Sequence, residues 1–347
     1  MKAIVFHGPA DRRFETVPDP SIEHPQDAIV RITSTTICGT DLHILKGDVP
    51  EVRPGTILGH EAVGVIEEVG RAVSTLRRGD RVIIPAITAC GVCGYCRKQM
   101  YGQCQNGGGW IFGHLINGLQ ANYARAPFAD TSLYKVPEGL DDVDVLFLTD
   151  ILATGYECGV VRGDVKPGSA VAIVGAGPIG LSSLVTGKLH GPRLSIMIDL
   201  DDSRLELARG LGADYVINPS RQDVVAEVKR LTCLGVDVAI EAVGVPSTFD
   251  LCTELIRPGG HVANIGVHGK PATLHLESLW IKNVTITTQL VDGNTIPLLL
   301  DLIAAGKLDP RPFVSHTFGF DELPAAYDVF QNAAESKACK VVIKAAA

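Results

Sequence analysis

Residues 170–180 read AVAIVGAGPIG, an apolar run that leads directly into a glycine-rich turn. The apolar run is typical of a buried strand, and proline suits the first turn of a helix, where an N–H has no partner anyway. In a G-x-G-x-x-G pattern the first glycine makes the tight turn, the second lets the backbone approach a pyrophosphate, and the third lets the helix pack closely on the sheet. The stretch therefore predicts a dinucleotide-binding strand–turn–helix unit with these cofactor-binding residues: Gly175, Gly177, Pro178, Ile179 and Gly180.

Asp199 ends the next predicted strand, near the distance expected for a carboxylate that accepts hydrogen bonds from the adenosine ribose. A carboxylate there repels a 2′-phosphate, and residues 200–202 contain no basic residue, so the sequence favours NAD over NADP. Arg204, one helical turn further on, is expected either to contact phosphate or ribose or to be a solvated helix charge. The alternative interpretation of the whole motif is a structural turn followed by a helix-capping aspartate.

The chain from about residue 150 onward alternates apolar runs with helical patterns, which is typical of βαβ units and a parallel sheet. Before residue 140, short β-branched runs separated by Gly, Pro and Asp predict an all-β region, and the run at 340–343 is expected to pair back with it. We predict an α/β protein in which residues 1–150 with 291–347 form one domain and residues 151–290 form a doubly wound Rossmann domain. Its strands are predicted at 170–174, 194–199, 236–241, 261–265 and 284–288, with helices at 178–190 and 203–210.

Composition excludes several classes of function. The chain has 347 residues, a formal net charge of −8 and no block of Lys and Arg, so we do not expect a nucleic-acid partner. No run of eighteen apolar residues and no signal-peptide pattern occurs, which predicts a cytoplasmic protein without a membrane partner. Nine cysteines, an odd number, favour a reducing compartment over a disulfide framework.

A cluster of four cysteines has the spacing C-x2-C-x2-C-x7-C, which suits tetrahedral zinc. Zinc closed by four thiolates has no open position, so such a site braces a loop and performs no chemistry. A disulfide pair and independent core thiols are the alternatives, and the glycines between the cysteines disfavour both. An iron–sulfur cluster would show a shorter last gap and a following proline. The predicted structural zinc ligands are Cys90, Cys93, Cys96 and Cys104.

Further motifs give the chain a family resemblance that runs essentially from end to end. It resembles the zinc-dependent medium-chain alcohol dehydrogenases, and in particular their bacterial NAD-dependent members. The resemblance implies a GroES-like β-barrel catalytic domain, an inserted Rossmann domain, a small alcohol or carbonyl substrate, and a homo-oligomer, with a tetramer favoured. The motifs that carry it, in chain order, are Cys38-x-Thr40-Asp41-x-His43, Gly59-His60-Glu61, Gly79-Asp80-Arg81-Val82, the cysteine cluster and the glycine motif.

The resemblance also implies a catalytic zinc bound by Cys38, His60 and Asp150, with Glu61 beside it as an alternative ligand. Many members carry a cysteine where this chain has Asp150, and the carboxylate is similar to the bacterial secondary-alcohol branch. Three protein ligands leave zinc one position for a substrate oxygen, whose hydroxyl pKa the cation lowers.

A proton relay follows from the same resemblance. Thr40 is implied to hydrogen-bond the alcohol oxygen and to pass its proton through the cofactor ribose to His43, whose ordinary pKa suits a relay near neutral pH. Asp41 is implied to orient His60.

The remaining implied positions line the cofactor and the substrate. Trp110, with Ile87 and Thr40, is expected to shape a small apolar pocket, although a packed structural tryptophan is the alternative for Trp110. Backbone groups at Ile265 and near Leu290 are implied to face the nicotinamide carboxamide. The residues implied at the nicotinamide half of the cofactor are Thr154, Val243, Gly244, Ile265, Gly266, Val267 and Leu290.

The sequence thus predicts a zinc-dependent, NAD-dependent dehydrogenase that reversibly converts small primary or secondary alcohols to aldehydes or ketones. Two alternatives share its machinery or fold: a polyol or amino-alcohol dehydrogenase, and a non-catalytic NAD(P)H-binding structural relative. Non-catalytic relatives generally lose Cys38, His60 and the relay residues, all of which this chain retains. A redox sensor built on the cysteine cluster is a third alternative.

Overall fold

The computed structural model describes residues 1–345 and divides the chain into two compact units. The first unit comprises Met1–Asp150 and the chain from Asp292 onward, and the second comprises Ile151–Val291. None of the helices within residues 1–345 has both the length and the apolar character needed to cross a membrane.

The first part of the first unit contains nine strands and three α-helices. The strands are β1 (Lys2–Gly8), β2 (Asp11–Thr16), β3 (Ala28–Thr36), β4 (Ala62–Val69), β5 (Arg81–Ile84), β6 (Ile87–Thr88), β7 (Gly109–Trp110), β8 (Tyr123–Ala126) and β9 (Tyr134–Lys135). The α-helices are α1 (Gly39–Lys46), α2 (Ala129–Ser132) and α3 (Asp142–Leu146), and short 3-10 turns cover Cys96–Lys98, Tyr101–Gln103 and Phe147–Thr149.

The second unit alternates strands and helices. Its strands are β10 (Ala170–Val174), β11 (Leu194–Ile198), β12 (Tyr215–Ile217), β13 (Val236–Glu241), β14 (Ile256–Asn264) and β15 (Thr285–Thr288). Its helices are α4 (Ile151–Thr154), which continues as a π-helix over Gly155–Val161, α5 (Pro178–Gly187), α6 (Asp202–Gly210), α7 (Val224–Thr232), α8 (Pro246–Leu255) and α9 (Leu276–Leu279), with 3-10 turns at Lys188–His190 and Trp280–Lys282.

The chain then returns to the first unit. This part contributes α10 (Ile296–Ala304), β16 (Val314–Gly319), α11 (Leu323–Gln331), α12 (Ala333–Ser336) and β17 (Lys340–Lys344), with 3-10 turns at Arg311–Phe313 and Phe320–Glu322.

The main sheet of the first unit has the order β16-β17-β3-β4-β5-β9, and β8 also pairs with β3. Strand β17 runs antiparallel to β3, with Val342 opposite Thr36, so the expected return of the closing run to the N-terminal region is confirmed. Buried residues such as Val30, Ile66 and Val82 form the core beneath this sheet. The pairing brings residues that are far apart in sequence onto neighbouring strands.

The sheet of the second unit is entirely parallel, with the order β12-β11-β10-β13-β14-β15. All five residues of β10 are buried, as expected for a strand covered by helices on both faces. The predicted doubly wound sheet is confirmed. The glycine motif leaves the carboxyl end of β10, which is the edge where ligands bind in such sheets.

The structure differs from the sequence-based assignment in several elements. Helix α1 lies inside the region predicted to be all-β, because Asp41 accepts the main-chain N–H of Cys38 at 2.9 Å and Gly47 ends the helix in the left-handed conformation. Strand β14 begins at Ile256, before the predicted start at His261. Strand β12 was not predicted, because it is too short to show a periodic pattern. Helices α7 and α8 were not predicted either.

The close approach of Gly180 to the turn provides a stability test. A Cβ atom at Gly180 would lie 1.8 Å from the carbonyl oxygen of Gly175, whereas at Gly210, the last residue of α6, it would meet no atom within 4 Å. We expect Gly180→Ala to lower the free energy of unfolding by about 1–3 kcal/mol. The matched variant Gly210→Ala should leave that free energy unchanged or raise it by up to about 1 kcal/mol. Denaturant unfolding followed by circular dichroism measures both, and equal stabilities of the two variants would contradict the packing argument.

Candidate metal and cofactor sites

Four potential metal ligands meet in the first unit. Cys38 caps the start of α1, His60 and Glu61 precede β4, and Asp150 follows a 3-10 turn. One ligand atom from each lies within 4.8 Å of the others. Asp150 Oδ2 is 3.5 Å from Cys38 Sγ and 3.6 Å from His60 Nε2. These separations match the edges of a tetrahedron around zinc, about 3.3–3.8 Å for bonds of about 2.0–2.3 Å.

The electrostatics of this group favour a cation. Burial raises the pKa of Cys38, of Asp41 and of Glu61, because each loses solvation as an anion. Burial alone would lower the pKa of His60, but hydrogen bonding to Asp150 and Cys38 raises it well above its usual range. The raised pKa values mean that these side chains retain their protons unless a cation such as a metal ion is present to stabilise the deprotonated forms. A thiol, an imidazole and carboxylates are also the donors that zinc prefers, so the residues fit the ion.

Glu61 forms a buried ion pair with Lys340 of β17. Its Oε1 accepts from Lys340 Nζ at 2.7 Å, and both side chains are 1% exposed. Lys340 also donates to the carbonyl of Ile37 at 3.3 Å and lies over the ring of Phe147. The Thr149 hydroxyl lies 3.4 Å from Glu61 Oε2, but its nearer acceptor is the carbonyl of Leu146 at 2.5 Å. The ion pair with Lys340 is therefore the contact that opposes the rotation that would make Glu61 a fourth ligand.

A chain of buried hydrogen bonds fixes Asp41 behind His60. Tyr327 donates to Gln120 at 2.7 Å, and Gln120 donates to Asp41 Oδ2 at 3.1 Å. The other oxygen, Oδ1, has no hydrogen-bond partner within residues 1–345, and it lies 3.7 Å from His60 Nδ1. That separation exceeds hydrogen-bond distance, although Nδ1 is the ring atom nearest the carboxylate. His60 therefore presents Nε2 to Cys38 and Asp150.

The predicted relay residues share one helix. Thr40 Oγ1 lies 3.8 Å from Cys38 Sγ. His43 is three residues further along α1, which puts it on the same face. His43 Nδ1 is 2.8 Å from Asp48 Oδ2, and the ring is 37% exposed. Thr40 thus stands beside the ligand group, and His43 stands at the solvent.

The four predicted structural ligands also come together, with their sulfur atoms within 4.8 Å of one another. Cys90 Sγ and Cys96 Sγ are 3.8 Å apart, far beyond the length of a disulfide bond. The main-chain N–H of Gln105 lowers the pKa of Cys93 to about 6. Burial opposes ionisation of Cys104, but main-chain donors bring its pKa below the usual range, whereas burial raises that of Cys96 to about 12. The geometry fits one tetrahedral ion.

Two of the predicted pocket residues are paired across a short ribbon, since Ile87 of β6 lies opposite Trp110 of β7. The Trp110 ring meets the His60 ring edge-on, with centroids 6.4 Å apart, and it stacks on His114 with centroids 4.1 Å apart. His114 Nδ1 is 3.0 Å from the Trp110 carbonyl, which can only accept, so Nδ1 carries the proton. His114 Nε2 is then an acceptor, and it is buried without a partner within residues 1–345.

The glycine motif of the second unit fits a pyrophosphate. Gly175 is left-handed with φ of 101°, and Gly177 caps α5 with only open space where a Cβ atom would point. A helix N-terminus with no side chain over it leaves main-chain N–H groups for an anion. Asp199 Oδ2 accepts from the Ala176 N–H at 2.6 Å, and Oδ1 accepts from the Asp201 N–H at 2.8 Å. Each carboxylate oxygen has a further lone pair for a ribose hydroxyl.

The other predicted cofactor residues lie in the second unit. Val243 and Gly244 follow β13, and Ile265, Gly266 and Val267 follow β14, so both loops leave the carboxyl edge of the same parallel sheet. The N–H of Ile265 already donates to a main-chain carbonyl at 2.8 Å, so only its carbonyl is left for the predicted carboxamide contact.

The last three residues predicted to bind the cofactor are Thr154, Leu290 and Arg204. Thr154 ends α4, and Leu290 is exposed beyond β15. Arg204 is half-exposed on α6, with Nε 4.0 Å from Asp201 Oδ2.

Four polar residues in or beside these sites were not predicted from the sequence: Lys340, Gln120, His114 and Glu241, whose carbonyl accepts the N–H of Ile265. Lys340 begins an apolar run and Glu241 ends one, and a charged residue adjoining a buried strand is the signal that could have identified them. Nothing local distinguishes Gln120 or His114, because the side-chain partners of Gln120 lie far away in sequence, in β3, α1 and α11, and the partner of His114 lies across a turn.

Comparisons with known proteins agree with this architecture. Two family models match: the alcohol dehydrogenase GroES-like domain over residues 24–138 and the zinc-binding dehydrogenase domain over residues 178–305. An alcohol dehydrogenase from Cupriavidus necator is 40% identical, with 99% of this chain and 98% of the relative covered.

Two solved structures are similar over the whole chain. Zinc-dependent alcohol dehydrogenase 2 from Streptococcus pneumonia, in its apo form, has a TM-score of 0.95 and 48% identity, with 100% of this chain and 99% of that chain covered. The alcohol dehydrogenase TADH from Thermus sp. ATN1 has a TM-score of 0.92 and 37% identity, with both chains fully covered.

A GroES-like domain joined to a zinc-binding dehydrogenase domain with a parallel sheet defines a two-domain dehydrogenase of the zinc type. The chain belongs to the zinc-dependent medium-chain alcohol dehydrogenase family, as its motifs predicted, and the GroES-like prediction for the first unit is confirmed.

Two ligand groups predict two separable metal ions for each chain. We expect Cys90→Ser to remove the ion of the cysteine cluster, which would lose one of its four thiolates, and Cys38→Ser to remove the other ion, whose ligand group contains no other thiol. Cys252, which is buried in the core of the second unit and belongs to neither ligand group, provides the control variant Cys252→Ser. Elemental analysis of purified protein measures metal per chain: two equivalents for the wild type and the control, and about one for each of the others. Loss of both ions in either variant would show that the sites are not independent.

Proposed function

We propose that this protein is an NAD-dependent alcohol dehydrogenase that reversibly oxidises small primary or secondary alcohols to aldehydes or ketones. The observation that carries the proposal is the convergence of Cys38, His60 and Asp150 in the first unit, where their ligand atoms lie within 4.8 Å of one another. The glycine motif tied to Asp199 in the second unit supports a nicotinamide dinucleotide as the hydride acceptor.

Cys38, His60 and Asp150 would hold the catalytic zinc, which supplies Lewis-acid polarisation of the substrate oxygen. Thr40 stands 3.8 Å from the Cys38 sulfur, beside the ligand group. Its Oγ1 would accept the proton of the alcohol while its own hydroxyl proton leaves toward His43, so that one proton moves outward in total. His43 receives protons on the same helix face and releases them to solvent, because its half-exposed ring is held by Asp48.

The supporting residues keep this arrangement fixed. Asp41, held by Gln120, faces His60 Nδ1 and stabilises the tautomer in which Nε2 is free to bind a metal. Lys340 keeps Glu61 paired, so we propose that Glu61 is a reserve ligand rather than a permanent one.

The pocket supports a small and mainly apolar substrate, because Trp110 and Ile87 offer hydrocarbon surface beside the ligand group. One observation favours the second candidate, a polyol or amino-alcohol dehydrogenase. The buried, unpartnered Nε2 of His114 would accept a hydrogen bond from a second hydroxyl or an amine. A spectrophotometric screen that compares simple alcohols with diols and amino-alcohols discriminates between them.

Two remaining alternatives have less support. A non-catalytic NAD(P)H-binding relative has no need of Cys38, His60 and Thr40 together. For a redox sensor, the cysteine cluster would have to oxidise reversibly, whereas its tetrahedral spacing favours a bound ion.

We further propose a cytoplasmic homo-tetramer. None of the nine cysteines, all of which lie within residues 1–345, forms a disulfide bond, which supports a reducing compartment. The tetramer is proposed from the resemblance to bacterial members of the family, and light scattering measures it.

Cys38→Ser separates the chemistry from cofactor binding. We expect turnover to fall by more than about 100-fold, because the variant loses a metal ligand. NADH affinity, measured by fluorescence titration, should stay within about threefold of the wild-type value, a change below about 1 kcal/mol. A parallel loss of NADH affinity would contradict the assigned role of Cys38, and unchanged turnover would overturn the proposed function.

Asp199→Ala tests the choice of cofactor. Loss of a charged acceptor for the ribose hydroxyls should lower kcat/KM for NAD by about 10–100-fold. The value for NADP should rise or stay constant, because the repulsion of the 2′-phosphate is removed. Asp202, a neighbouring carboxylate paired with Arg221 and Asn218, provides the control Asp202→Ala, which should leave the preference unchanged. Equal losses with both cofactors would show that Asp199 does not discriminate between them.

A further inference from the structure

Glu241 is a fully buried carboxylate at the carboxyl end of β13, in the middle of the parallel sheet. Its side-chain atom Oε1 accepts three hydrogen bonds: from the N–H groups of Val243 and Gly244, both at 2.9 Å, and from the Thr248 hydroxyl at 2.7 Å. One oxygen therefore fixes the turn that leaves β13 and the start of α8. A charged acceptor makes such bonds roughly twice as strong as neutral ones.

The main chain of the same residue holds a second loop. The carbonyl of Glu241 accepts from the N–H of Ile265 at 2.8 Å and from that of Gly266 at 3.1 Å. These residues leave β14, the neighbouring strand. Glu241 thus bonds to both loops, Val243–Gly244 and Ile265–Val267, which are separated by about twenty positions of sequence.

The two loops abut so closely that their positions are interdependent. A Cβ atom on Gly244 would lie 2.3 Å from the Val267 carbonyl oxygen, and one on Gly266 would lie 2.2 Å from the Gly244 nitrogen. The same Cβ on Gly266 would lie 2.3 Å from Glu241 Oε2. That oxygen has no hydrogen-bond partner within residues 1–345, and the nearest basic atom is His268 Nε2 at 3.5 Å.

A carboxylate oxygen without a partner in a fully buried position destabilises the fold, so its presence requires a functional explanation. Glu241 holds the two loops together at the edge of the sheet where the nicotinamide half of the cofactor is proposed to bind. We propose that Glu241 is a positioning residue that locks the Val243–Gly244 loop against the Ile265–Val267 loop and so sets the binding surface for the nicotinamide ring. The inference depends on the proposed function, because it assumes a nicotinamide dinucleotide at this edge.

The test compares two ligands that differ only in the nicotinamide. ADP-ribose carries the adenosine, the pyrophosphate and the second ribose, whereas NADH also carries the ring. The variant Glu241→Gln, studied in the metal-loaded enzyme, keeps the shape of the side chain and one acceptor oxygen but loses the negative charge. We expect NADH to bind about tenfold more weakly to this variant and ADP-ribose to bind unchanged, as measured by calorimetry. In steady state, KM for NAD should rise more than kcat falls.

Thr248→Val gives a milder variant in case Glu241→Gln does not fold, since it removes one donor to Oε1 and leaves the carboxylate in place. It should weaken NADH binding about threefold, again without an effect on ADP-ribose. The matched control is Thr253→Val on the same helix, whose hydroxyl donates only to the carbonyl of Asp250. The control should bind both ligands as the wild type does.

The outcomes are distinguishable. Equal weakening of NADH and ADP-ribose, or no weakening of either, in a folded Glu241→Gln protein would overturn the positioning role while leaving the proposed function intact. Failure of the wild type to bind NADH would overturn both.

Discussion

Buried negative charge is the constraint on which the first unit depends. Cys38, Glu61 and Asp150 are drawn together out of water, and an uncompensated group of this kind would cost several kcal/mol for each charge. Lys340 supplies one positive charge, and protons or a divalent cation must supply the rest. The architecture follows, because the lysine comes from the last strand and reaches Glu61 only when β17 pairs with β3. Return of the chain to the first unit is thus a requirement of the site.

The second unit is governed by a different constraint, the close approach of backbone to backbone. Gly180 lies against the Gly175 carbonyl, and Gly244 lies against Val267, at distances that no side chain would allow. The absence of side chains at the glycines leaves space at the carboxyl edge of the sheet, where we propose that the dinucleotide binds. The carboxylates of Asp199 and Glu241 hold the turns beside that space through the N–H groups of Ala176 and Gly244. These two acidic residues hold together segments of the second unit that are distant in sequence.

The sequence predicted those features of the structure that require particular residues at fixed, short intervals along the chain. The cysteine cluster, the glycine motif and the alternation after residue 150 each require particular residues at short intervals, and each could be identified directly. Helix α1 was missed because its capping bond from Cys38 to Asp41 lies inside a β-rich stretch. Lys340 was missed because its role depends on the register of pairing between strands, which no short-range pattern encodes. The side chain of Glu241 bonds to residues nearby in sequence, but its link to the loop after β14 depends on the pairing of β13 with β14.

The most direct test of the central claim, that Cys38, His60 and Asp150 hold an ion in this buried acidic group, is zinc K-edge X-ray absorption. The protein to measure carries both Cys90→Ser and Cys96→Ser, so that signal from the cysteine cluster is removed. We predict one sulfur neighbour at about 2.3 Å and nitrogen or oxygen neighbours at about 2.0–2.2 Å. A shell of several sulfur atoms, or a protein that retains no zinc, would contradict the account.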